Sequence, residues 1–101
     1  MGDLTTLELE SALHEVLDPE TGVNVVDLGL IYGLSRDGGA VRVTMTLTTR
    51  ACPAGGAMVE GVKRRLEQLD GVSTVDVDVT FDPMWTPNRI TPEGREQLGW
   101  G

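Results

Sequence analysis

The sequence predicts an α+β domain: a two-layer sandwich in the order α-β-β-α-β, with a small three-stranded mixed sheet, both helices on one face and a short C-terminal helix. Two segments, residues 5–17 and 53–69, repeat their apolar residues at helical spacing. Two others, residues 41–48 and 74–81, alternate apolar and polar residues as half-buried strands do. A chain of 101 residues suits a single domain, residues 1–101, around one core.

The first helix has a marked start. Thr5 and Glu8 have capping-box spacing, and Leu4 with Leu9 fits the hydrophobic staple outside it. Leu9, Ala12, Leu13, Val16 and Leu17 form one apolar stripe with His14 off it, and Pro19 ends the helix, because the residue before a proline avoids the α region. Asp18-Pro19-Glu20-Thr21-Gly22 is turn chemistry, and residues 23–29 read as an irregular loop. A first strand is expected near residues 30–35, followed by a hairpin turn at Arg36-Asp37-Gly38-Gly39.

In the second strand Val41, Val43, Met45 and Leu47 should point inward, and Arg42, Thr44, Thr46 and Thr48 outward. The second helix should bury Ala54, Ala57, Met58, Gly61, Val62, Leu66 and Leu69 and close at Gly71. The third strand should turn Val75, Val77, Val79 and Phe81 inward and Thr74, Asp76, Asp78 and Thr80 outward. A proline-rich tail then leads to a short helix capped at Thr91-Pro92 and ending near Leu98. Strands with one polar face need cover on the other face only, which puts both helices on the same side. The polar face reads as solvated or as a dimer contact, and the sequence leaves both open.

Eight basic residues against sixteen acidic ones give a net charge of −8, which argues against unspecific binding to nucleic acid or to an anionic membrane. No apolar run approaches the ~20 residues of a membrane-spanning helix. The first residues lack a positive region followed by an apolar stretch, so no secretory signal is expected. One cysteine cannot form an intrachain disulfide, and the reducing cytoplasm is the expected compartment.

That cysteine lies in the most informative stretch, Thr48-Thr49-Arg50-Ala51-Cys52-Pro53-Ala54-Gly55-Gly56. Proline is favoured at the first helical position, so Pro53 places Cys52 at the N-cap. The helix dipole and free backbone N–H groups there favour a thiolate, and Arg50 is a candidate for an added cation. Gly55 and Gly56 remove side chains from the first turn. The bland alternative is an inert cysteine that only packs. A Cys-His nucleophile pair has only His14 to call on, and a surface histidine is its ordinary reading. A structural zinc site needs four ligands, and no CxxC or His cluster supplies them. An iron–sulfur cluster, usually held by four thiolates, would have to be shared with a partner or exogenous thiols and held transiently. Asp18, Glu20 and Asp27 are ordinary loop and capping residues by spacing alone. Trp85 and Trp100 read as anchors for the tail.

Taken together, three motifs resemble one family. Asp18-Pro19-Glu20-Thr21-Gly22 with Asn24-Val25-Val26-Asp27-Leu28-Gly29-Leu30-Ile31-Tyr32 resembles the opening signature of the SufT/PaaD-like iron–sulfur assembly family. Its domain type is related to the eukaryotic cytosolic iron–sulfur targeting subunit. Thr48-Thr49 through Cys52-Pro53 resembles its cysteine motif, and Trp85, Ile90, Gly94-Arg95 and Leu98 resemble its C-terminal segment. The likeness spans about residues 7–98.

The resemblance implies a non-enzymatic factor for assembling iron–sulfur clusters or delivering them to client apoproteins, with Cys52 as the reactive residue and transient, shared cluster ligand. It implies a supporting pocket of Asp18, Glu20, Asp27, Thr48 and Thr49, to which Arg50 adds its charge. No tightly bound cofactor is implied. Partners would be client apoproteins and other assembly proteins, and a homodimer would supply two thiolates. The alternative is an accessory subunit docking on a multicomponent oxygenase or reductase. Two departures stand out: Arg50 occupies a place where the family often has proline, and the cysteine-bearing C-terminal region of PaaD proper is missing. The layout also resembles one topology of RNA-binding KH domains, but the acidic charge and the lack of a basic GxxG loop leave nothing to clamp phosphates.

Overall fold

Val41, Val43 and Met45 are almost wholly shielded from solvent, and the rest of the molecule is arranged to shield them. The computed structural model describes residues 4–48 and 55–99, with residues 4–6 described as backbone only. Helix α1 spans Leu4–Leu13, strand β1 Ile31–Asp37, strand β2 Ala40–Met45, helix α2 Gly55–Glu67 and strand β3 Thr74–Val79. A 3-10 turn at Pro87–Arg89 and helix α3, Pro92–Gln97, complete the chain.

The sheet has the order β1-β2-β3, with β1 antiparallel and β3 parallel to β2, so it is mixed as expected. A two-residue turn at Gly38 and Gly39 joins β1 to β2, tighter than the four-residue turn expected, and Gly38 takes the left-handed φ of 61°. The parallel β2–β3 pair requires a crossover, and α2 makes it. Helix α1 packs on β1 and on α2, and α2 packs on β3, so both lie over one face. The core between the layers joins Leu9, Leu13, Val43, Met58, Val62 and Leu66, all buried.

Four expectations are corrected. Helix α1 stops at Leu13 rather than at Pro19: Val16 and Leu17 keep the helical spacing, but their backbone pairs with the returning loop instead. Val25 N–H donates to Val16 carbonyl at 2.9 Å, Asp18 N–H to Val23 carbonyl at 2.9 Å, and Leu17 bridges Asn24. In consequence Val16 is buried while Leu17 is 54% exposed. Thr46, expected outward, is completely buried, because β2 ends at Met45 and the alternation ends with it; its N–H donates to Leu30 carbonyl at 2.8 Å. In α2 the buried positions are Gly55, Met58, Val62 and Leu66, so Ala57 is exposed and Gly61 and Leu69 only half-buried. Val79, at the end of β3, is exposed as well.

The side chains of Leu4 and Thr5, named for the staple and the capping box, lie outside the described residues, as do Pro53, Ala54 and Trp100. Among the described residues no helix is long and apolar enough to cross a membrane.

Candidate functional site

The carboxylates named from the sequence sit in the connection between α1 and β1. Asp18 is buried and folds its own turn: Oδ1 accepts Glu20 N–H at 2.9 Å, and its carbonyl accepts Gly22 N–H at 2.8 Å. Thr21 Oγ1 accepts Val23 N–H at 3.2 Å, and Gly22 supplies the left-handed φ of 74° that reverses the chain. Glu20, at the crest of this turn, is exposed.

Asp27 is buried in a second turn. Asn24 Nδ2 donates to its Oδ2 at 2.8 Å, and Asp27 N–H donates back to Asn24 Oδ1 at 2.8 Å. Thr91 Oγ1 donates to Asp27 Oδ1 at 3.0 Å, and Thr91 N–H to Asp27 carbonyl at 2.8 Å. His14 Nε2 stands 3.8 Å from the same Oδ1. Both carboxylate oxygens are therefore engaged, one by the loop and one by the start of α3. Thr91 also caps α3, its Oγ1 accepting Gly94 N–H at 3.1 Å.

Two glycines allow this close approach. A Cβ on Gly29, whose φ is 75°, would press into the Arg89 carbonyl oxygen, and one on Gly94 would lie 2.8 Å from the Asp27 carbonyl oxygen. Trp85 Nε1 donates to Leu28 carbonyl at 2.7 Å, which fastens the tail to the same loop. Asn24 and Thr91 thus belong to this constellation although sequence spacing did not single them out as site residues. Thr91 was visible as a cap, but its link to a residue 64 positions away is a tertiary fact.

Helix α2 is described from Gly55 onward, and the packing there is tight: a Cβ on Gly55 would meet Leu47 Cδ1 at 2.7 Å. Thr48, half-buried, follows Leu47. A groove of about 450 Å³ separates the first turns of α2 from the turn after α1, with Ala57, Met58 and Gly61 on one side and Val16, Leu17 and Pro19 on the other. Pro19, which follows Asp18 in the chain, and Ala57, near the start of α2, thereby line one groove. Among the described residues no hydrogen bond joins Asp18, Asp27 and Thr48 to one another. Cys52, Thr49 and Arg50 lie outside the described residues. Among those described, no three His, Cys, Asp or Glu side chains gather as metal ligands.

Residues 7–79 match the family described as "Iron-sulfur cluster assembly protein". The chain is similar to an "Fe-S protein maturation auxiliary factor" of Porphyromonas gingivalis, 41% identical over 97 residues, which are 95% of this chain and 92% of that one. It is also similar to the "Fe-S protein maturation auxiliary factor YitW" of Bacillus subtilis, 38% identical over 87% of each chain. Among solved structures, a domain of unknown function, DUF59, from Bacillus anthracis superposes with a TM-score of 0.88 at 35% identity, covering 92% of this chain and 90% of that one.

Proposed function

The chain belongs to the iron–sulfur cluster assembly protein family, and we propose that it is a non-catalytic auxiliary factor that helps client proteins acquire their iron–sulfur clusters. The observation that carries this reading is the likeness to relatives named for that role along 95% of the chain, not along one motif.

In this reading Cys52 is the working residue. Its thiolate supplies one ligand to a cluster that is cargo, with the other ligands coming from a donor, a client or a second copy of the chain. A single thiolate holds such cargo weakly, which suits a step that must release it. Arg50 and the N-terminus of the second helix favour the ionised sulfur. Asp18, Glu20, Asp27, Thr48 and Thr49 form the surroundings of the cysteine. Support for part of this pocket comes from the groove, which Pro19, next to Asp18 in the chain, lines together with Ala57, five residues past Cys52 in sequence. Asp27 acts from further back, holding the loop and α3 in shape through Asn24 and Thr91. Partners are client apoproteins and other assembly proteins, met in the cytoplasm.

The test is genetic. Cells lacking the chain should lose activity in iron–sulfur enzymes while keeping the corresponding polypeptides, and a Cys52→Ser copy should fail to restore it. Full rescue by Cys52→Ser would remove the thiolate role and favour an accessory subunit that works by docking alone.

A further inference from the structure

We propose that the groove between residues 16–19 and helix α2 is a docking site for a short client segment that combines apolar side chains with a carboxylate. The proposal rests on the reading of the chain as a factor that meets client proteins, and it adds which surface meets them and what chemistry that surface selects.

The floor of the groove is apolar. Val16 and Met58 are buried beneath it, Pro19 borders it, and Leu17 stands 54% exposed at its wall. Leu17 is left exposed because its backbone bridges Asn24 instead of continuing α1, so the side chain is turned out of the core. The depth comes from Gly61. A Cβ there would already touch Val16 Cγ1 at 3.4 Å, and a longer side chain would occupy the space.

Charge decides what fits. The chain carries −8 overall, yet three of its eight basic residues are consecutive, Lys63-Arg64-Arg65, on α2. Arg65 is bound to Glu15 at 2.7 Å, and the two neutralise each other at the rim. Arg64 lines the same groove, is exposed, and has no ion pair among the described residues. The rim therefore attracts an anionic group and repels a basic one. An acidic segment meets like charge over much of the remaining surface, which adds selectivity by repulsion elsewhere. A segment seated here also lies against Ala57 and Met58 of α2 and against Pro19, which follows Asp18 in the chain.

Methyl NMR on the full chain tests this without iron or sulfide, so its outcome does not depend on cluster transfer. The probes are two synthetic nonapeptides, a leucine core flanked by glutamates and the same core flanked by lysines. The glutamate peptide should shift the Val16, Leu17 and Met58 methyls saturably, and the lysine peptide should bind roughly tenfold more weakly. Arg64→Glu, at an exposed position, should abolish or reverse that preference, and Gly61→Leu should block both peptides with the amide spectrum otherwise retained. Equal binding of the two peptides, unmoved groove methyls, or an Arg64→Glu variant that keeps the wild-type preference would overturn the proposal.

Discussion

Asp27 joins two ends of the chain. Its carboxylate accepts from Asn24 in its own loop and from Thr91 at the start of α3, and its carbonyl accepts Thr91 N–H. Asp27→Ala leaves a buried amide and a hydroxyl without their acceptor, and groups so orphaned cost about 1–3 kcal/mol each. The expected loss is about 2–4 kcal/mol, measured by urea unfolding, with Asp27→Asn losing less because one carbonyl oxygen remains to accept from Thr91. A loss below about 0.5 kcal/mol for Asp27→Ala would show that solvent replaces these bonds at little cost. The motif Asn24 to Gly29 drew attention as a functional signature, and its hydrogen bonds reveal a joint that holds loop and tail together.

At the scale of elements, two glycines should respond in opposite ways. Gly29 has a left-handed φ of 75°, and the Arg89 carbonyl stands where a Cβ would go. Gly29→Ala should destabilise by about 2–4 kcal/mol, from strain and overpacking together. Gly61 lies inside α2 with only Val16 Cγ1 near, at 3.4 Å. Gly61→Ala should stabilise by about 0.5–1 kcal/mol through helix propensity. Paired thermal melts check both signs. Elements whose pattern is local were readable in the sequence: the strand β3 with Val75 inward, the Thr91 cap, and the α2 positions Met58, Val62 and Leu66. The end of α1 was not, because Val16 and Leu17 satisfy helical spacing while their backbone partners, residues 23–25, are set by the turn that follows. Most of the site was readable only as residue types. The Asp18 turn is local and was legible as turn chemistry, whereas the bond from Thr91 to Asp27, 64 residues apart, is a consequence of tertiary approach that spacing does not encode.

For the whole molecule, charge and family membership set the expectations. Sixteen acidic residues against eight basic ones make the compact state repel itself. Raising NaCl from about 10 mM to about 500 mM should screen that repulsion and raise the unfolding free energy by on the order of 1 kcal/mol, read as a higher urea midpoint. An unchanged or lower midpoint would mean that local ion pairs such as Arg65–Glu15 outweigh the net field. The architecture, an α+β sandwich shared with the DUF59 structure, sets an apolar groove between α2 and residues 16–19. On this frame the proposed chemistry comes down to one sulfur. The most direct measurement is the rate at which a purified iron–sulfur apoprotein regains its cluster absorbance when cluster is presented with this chain, with its Cys52→Ser variant, or with neither. Faster recovery with the wild-type chain, and recovery with Cys52→Ser no faster than with neither protein, is the predicted result; equal rates for wild type and variant would contradict the account.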